Sequence, residues 1–141
     1  MARTLLCEIV TPESIVYNAE VQMVVAMTSM GEVGILPLHS PLVTVLALGE
    51  LRLKIGAAAA DWEYFAISGG YMQVHEDKVI VLADDAVAVS QIDGDRAAES
   101  RERVRDQMAQ LPPDATDEIA QCERDLMWCE MQLEAAGKRR S

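Results

Sequence analysis

The chain is 141 residues long, half of them apolar, and its 12 Lys and Arg against 23 Asp and Glu give a net charge of −11 at pH 7. That charge excludes a non-specific nucleic-acid binder, which needs a basic face to neutralise phosphates. With a quarter of its residues charged, the chain has the balance of a folded domain, not of a disordered acidic tail, and its size fits one ordinary domain or a small one with an appendage.

From Leu5 to about Ser90, short apolar runs are broken at close intervals by Gly, Pro, Asn and Asp, the punctuation of an all-β sandwich or barrel. Leu5, Cys7 and Ile9 alternate with Leu6, Glu8 and Val10, so the first strand has an inner and an outer face. Residues 14–19 and 21–27 read as the next strands, with turn signals at Asn18 and Gly31. Residues 31–42 read as a loop, in which two glycines and two prolines surround the lone His39. Leu51, Leu53 and Ile55 then alternate with Glu50, Arg52 and Lys54, which predicts a strand with three inward residues. Residues 62–68, 71–75, 78–82 and 86–89 complete the strands, with turns at Gly69-Gly70 and Glu76-Asp77.

After Ser90 the β-branched residues thin out, and Ala, Glu, Arg, Gln and Met take over. Over 93–111 the apolar residues Ala97, Val104, Met108 and Leu111 share one helical face, and Pro112-Pro113 ends that helix. In the next helix Ile119, Cys122, Leu126, Cys129, Leu133 and Ala136 form an unbroken heptad stripe, with Thr116 or Asp114 as N-cap and Gly137 as the stop. The fold class is therefore an all-β sandwich over 1–90 followed by a C-terminal α-helical hairpin over 91–141. Narrow apolar stripes make the hairpin the part expected to move.

The three cysteines, Cys7, Cys122 and Cys129, lack metal-ligand spacing, and residues 1–6 lack the long apolar core of a signal peptide, which together suggest a reducing, cytoplasmic setting. Cys122 and Cys129 stand about 10.5 Å apart along a helix, beyond disulfide reach, and read as seam positions. The longest apolar stretch, 35–48, is interrupted by Pro37, His39, Ser40 and Pro41 and falls short of the ~20 residues of a spanning helix. Membrane association is expected only through a partner. No G-x-x-x-x-G-K-[ST], no second histidine after His75-Glu76 and no G-x-S-x-G occurs, so the sequence offers no catalytic residue and no metal site.

Two segments carry more information. Gly31-Glu32-Val33-Gly34-Ile35-Leu36-Pro37-Leu38-His39-Ser40-Pro41-Leu42 and Ile67-Ser68-Gly69-Gly70-Tyr71-Met72-Gln73-Val74, the latter followed by Val79-Ile80-Val81-Leu82-Ala83-Asp84-Asp85-Ala86, stand in this order ahead of a helical hairpin. In that arrangement the chain resembles the ε subunit of bacterial F-type ATP synthases, whose mitochondrial counterpart is called δ. The resemblance spans nearly the whole chain and implies a sandwich of about ten strands and a two-helix hairpin. It implies a non-catalytic rotor subunit, one copy per complex, in which the sandwich is held against the γ subunit at the foot of the central stalk and touches the c ring. The complex would lie on the cytoplasmic face of the inner membrane. By the same resemblance Pro37, His39, Ser40, Pro41 and Leu42 belong to the region near γ, and Glu32 matches a loop position facing the c ring. Leu38 and Gln73 depart from the family, which usually has a small or polar residue at the first and Glu at the second.

The hairpin of that family either folds down or extends into the catalytic α/β head, where it blocks ATP hydrolysis. Ile92-Asp93-Gly94-Asp95-Arg96-Ala97 matches a family motif that in some members binds ATP as a regulatory ligand without hydrolysing it, and no cofactor is otherwise required. Arg96 and Arg103 are two turns apart on one helix face, so both guanidiniums can meet phosphates while Asp93 accepts bonds from ribose or adenine. The same residues equally read as a helix N-cap and a solvated first turn. The second helix is acidic, with Asp117, Glu118, Glu123, Asp125 and Glu130 against Arg124, so inhibitory contacts would fall to Arg101, Arg103 and Arg105 and to the Lys138 tail. Two other readings share these features: a purely structural stalk linker, and a free-standing nucleotide sensor.

Overall fold

The computed structural model describes residues 3–140 and divides into two compact units, one running to Ala88 and the other from Val89. The first unit holds ten strands: β1 (Leu5–Val10), β2 (Ile15–Val21), β3 (Met23–Thr28), β4 (Gly31–Ile35), β5 (Leu42–Leu46), β6 (Gly49–Lys54), β7 (Trp62–Ile67), β8 (Gly70–His75), β9 (Lys78–Ala83) and β10 (Ala86–Ala88). Hydrogen bonding links them in the order β10-β7-β6-β3-β5-β8-β9-β1-β2, with β4 added on β3. Between β3 and β5 only Thr28 and Leu46 are paired, so the ladder bends there and folds into two layers. All pairings are antiparallel except β1 with β9.

Alternating side chains fill the space between the layers. Leu5, Cys7 and Ile9 point inward from β1, Leu51 and Leu53 from β6, Met72 and Val74 from β8, and Val79 and Val81 from β9, all at 1% exposure or less. Tyr17 of β2 meets Phe65 of β7 edge to face at 5.3 Å, joining strands from the two ends of the ladder. Burial pushes the Cys7 thiol up to about 12, with the neighbouring Glu8 carboxylate adding to the effect, so it stays protonated at neutral pH and packs as a small apolar group.

Four expectations change in this unit. Asn18 marks no turn, because it lies inside β2 and pairs with Glu8. Residues 31–42 are not one loop: they contain β4 and lead into β5. Gly31, at φ +112°, makes the tight turn after β3, and buried Thr28 closes it by donating its hydroxyl to the Gly31 carbonyl (2.7 Å) and accepting the Met30 N–H (3.1 Å). Only residues 36–41 remain as turn. Glu32 accordingly sits on a strand, opposite Met27, and not in a loop. Ile55 is 42% exposed because β6 ends at Lys54; its N–H bonds to the Asp61 carbonyl and opens the following loop.

The second unit begins with a 3₁₀ turn, Val89–Gln91, and continues as α1 (Gly94–Ala109) and α2 (Thr116–Arg140). The two helices pack against each other as an antiparallel pair around a short connection. Three residues before Pro112, α1 ends at Ala109, earlier than the apolar face suggested, with Gln110 as C-cap. Ile119 donates to the Ala115 carbonyl, so Ala115 holds the capping position of α2 that was expected for Thr116 or Asp114. Gly137 does not stop α2, which continues through it. A glycine inside a helix costs only about 1 kcal/mol relative to alanine, too little by itself to end a long helix. Along the heptad stripe Cys122, Cys129 and Ala136 are buried, and Ile119, Leu126 and Leu133 are half-buried. Both cysteines are free thiols.

Candidate functional site

Strand register builds a surface in the first unit that no single segment displays. Val45 pairs with Tyr71, Tyr71 with Leu82, Leu82 with Val10 and Val10 with Ile15, an apolar row running across five strands. The exposures are 48% for Val45, 58% for Tyr71, 51% for Leu82 and 62% for Ile15. In the row beside it, Val43 (72% exposed), Gln73, Ile80 and Glu8 are paired in the same way. Sequence reading missed this face, because its members come from separate segments and only the register joins them. A contiguous apolar surface of this kind marks an interaction site more often than a solvated wall. Gln73, one of the two departures from the family pattern, lies in the middle of it.

The turn 36–41 leads into β5, the strand that carries Val43 and Val45. Pro37 and His39 are half-buried, whereas Ser40 and Pro41 are exposed. The His39 Nδ1–H donates to the Ser40 carbonyl at 2.7 Å, which fixes the ring. Leu42 turns inward and packs on the core, apart from its predicted neighbours. Leu38 adopts φ +69°, and its N–H donates to Asp77 Oδ1 at 2.6 Å. The Leu38 amide and the Arg3 guanidinium together hold the Asp77 carboxyl below its ordinary range. Glu32 is exposed and ion-paired with Arg52 at 2.9 Å.

In the second unit, Asp93 caps α1 by accepting the Arg96 N–H at 3.1 Å. Arg96 and Arg103 both project from exposed positions, and Arg103 donates to Ser100 Oγ at 3.0 Å. Ile92 and Ala97 are buried, at 3% and 6% exposure. Arg101 lies 3.7 Å from Glu102, and Arg105 bridges Glu102 (3.1 Å) and Glu130 of α2 (3.6 Å). Arginines of α1 are thus already partly matched by the carboxylates beside them. Among the described residues, no group of three His, Cys, Asp or Glu could hold a metal, and no helix is long and apolar enough to cross a membrane.

A ten-stranded sandwich with an apolar outer face, followed by a two-helix unit, defines the class of a small binding module. The family model for the ATP synthase delta/epsilon chain β-sandwich domain matches residues 4–89, and the chain belongs to that family. An ATP synthase epsilon chain of Desulforamulus reducens is 43% identical over 77% of this chain and 80% of its own length. Another, from Halalkalibacterium halodurans, is 38% identical over 96% of this chain and 98% of its own. Among solved structures, a chain of the Euglena gracilis mitochondrial ATP synthase assembly of OSCP, F1 and c-ring superposes with a TM-score of 0.72 at 27% identity, over 94% of this chain and 81% of that one. A chain of the Tetrahymena thermophila mitochondrial ATP synthase central stalk and c-ring shares the fold, with a TM-score of 0.57 at 18% identity. Membership of that family makes the chain a subunit of an ATP synthase, a component of an enzyme complex.

Proposed function

We propose that the chain is the non-catalytic rotor subunit that ties the γ subunit to the c ring, gripping γ with the outer face of its sandwich. The observation that carries this reading is the apolar row Val45–Tyr71–Leu82–Val10–Ile15. Exposed apolar area of this extent is costly in water and is offset when a partner covers it. The turn with Pro37, His39, Ser40 and Pro41 extends the same grip, and Glu32, held by Arg52, is offered to the c ring. Membrane attachment is then peripheral, on the cytoplasmic face, through the complex. Co-expression with the γ subunit of the same complex should give a stable one-to-one assembly on size exclusion; separate elution of the two proteins would overturn the reading.

The helical unit is the regulatory part of this proposal. Extended toward the catalytic α/β head, it would bring Arg101, Arg103 and Arg105 to acidic surfaces and slow hydrolysis. ATP serves as a regulatory ligand through Asp93, Arg96 and Arg103, with Ile92 and Ala97 shaping the local backbone. Geometry supports this in one respect: capping engages Oδ1 of Asp93, and the guanidinium of Arg96 emerges from an exposed position on the same turn. A ligand at ten times its dissociation constant shifts a conformational equilibrium by about 1.4 kcal/mol, enough to favour one hairpin position when ATP is plentiful. Titration calorimetry with ATP should show saturable binding that disappears in the Asp93→Ala, Arg96→Ala double variant. An absence of heat at millimolar ATP would leave Asp93 as a helix cap alone.

A further inference from the structure

Among the described residues three non-glycines have positive φ: Leu38 at +69°, Glu76 at +49° and Asp77 at +58°. Each is a costly conformation for a residue with a Cβ, and such residues persist only where their surroundings over-determine them. Nearly forty positions separate Leu38 from the other two in the sequence, yet Leu38 and Asp77 are bonded directly. Asp77 Oδ1 accepts the Leu38 N–H at 2.6 Å, and Oδ2 accepts the Arg3 Nε–H at 2.9 Å. The Asp77 carbonyl also accepts the Leu6 N–H at 2.9 Å, tying the same turn to the start of β1. A charged acceptor makes the Leu38 bond stronger than an ordinary amide contact.

This strain has a visible product. Leu38 is 70% exposed and Leu36 55% exposed, so the turn pushes two leucines into solvent just ahead of Val43 and Val45. A turn needed only to reverse the chain would use glycine at Leu38 and leave no apolar side chain outside.

We propose that Asp77 is a positioning residue for stalk binding, whose carboxylate fixes the turn 36–41 in the conformation that presents Leu36 and Leu38 to the same partner as the apolar face. This rests on the reading that the face holds γ. The turn would then contribute a preformed contact, with its ordering cost met by folding and not by association.

The test measures γ binding by calorimetry and Leu38 amide protection by hydrogen exchange, on the full chain. Asp77→Ala should weaken binding on the order of tenfold and deprotect the Leu38 amide while unfolding stays cooperative. Asp77→Asn, which keeps an acceptor oxygen for that amide, should restore most of the affinity, and Arg3→Ala should leave it near the parent value. Should Asp77→Ala fail to fold, Leu38→Asn serves instead: asparagine tolerates the left-handed conformation and keeps the turn, but removes the apolar contact. Its affinity should fall with stability unchanged, and undiminished affinity would overturn the proposal. Parent-like binding by Asp77→Ala, alongside loss of binding by a Val45→Lys, Tyr71→Lys variant, would overturn the role of Asp77 and leave the stalk reading intact. Parent-like binding by both would overturn the stalk reading and this inference with it.

Discussion

The double variant Val45→Lys, Tyr71→Lys is expected to fold as its parent does and to lose affinity for the stalk partner by at least about a hundredfold. Both side chains leave the outer face of their strands, while their neighbours Leu46 and Met72 point into the core at 5% and 0% exposure. Lysine at an outward strand position keeps the backbone pairing and snorkels into water, so stability should change by less than about 1 kcal/mol. Binding is another matter. Burying a Val or Tyr side chain contributes about 1.5–3 kcal/mol, and an ammonium in its place must be desolvated against an apolar partner. Two such losses exceed the 2.7 kcal/mol that corresponds to a hundredfold. The change in net charge from −11 to −9 is too small to counteract this through long-range attraction, and binding measured at low and high salt separates the two effects. Calorimetry beside circular dichroism reads the outcome. Retained affinity in a folded variant would mean that some other surface meets the stalk.

How far the sequence disclosed this arrangement depended on the range over which each signal is written. Local periodicities were legible: Leu5, Cys7 and Ile9 alternate into the core as their spacing requires, and the stripe from Ile119 to Ala136 is the seam of α2. Strands β4 and β5 were not, because glycines and prolines in 31–41 mask their short apolar alternation, and a buried threonine hydroxyl closes the turn between β3 and β4. The apolar face was illegible for a different reason. Val10, Ile15, Val45, Tyr71 and Leu82 become neighbours only through five strands in one particular register, and a shift of one residue would turn each of them to the opposite face. Leu38 sits between these cases. Its departure from a small or polar residue could be read in the sequence, but the left-handed backbone that makes a small residue apt there, and the Asp77 bond that lets leucine replace it, exist only in the fold. In the second unit, Asp93 serves as the cap that its position before the helix suggested. A cap and a nucleotide ligand use the same carboxylate, so sequence alone left both roles open.

Gly70→Ala is expected to be the most damaging single-methyl change in the sandwich, costing about 4 kcal/mol or more, close to the whole stability of a small domain. At Gly70 φ is +140°, and a Cβ there would overlap the Leu82 carbonyl oxygen and approach Ala83 Cα to 2.9 Å. Both obstacles are backbone, and both belong to β9, whose ladder pairs Gly70 with Ala83 while β5 pairs Leu46 with Gly70 from the other side. No side chain can rotate away to make room. Relief would require β8 to shift, pulling Met72 and Val74 from the core and Tyr71 from the apolar row, so the same methyl should also weaken stalk binding in any fraction that folds. Gly69→Ala provides the control. Gly69 has φ +136°, nearly the same conformation, but its nearest neighbour to an added Cβ is the Leu46 carbonyl at 3.6 Å, an ordinary contact. It should cost only the conformational penalty of about 1–2 kcal/mol. Urea unfolding of the two variants side by side separates the causes: a much lower midpoint for Gly70→Ala locates the requirement in the close approach of β9, whereas equal midpoints would assign it to left-handed backbone alone.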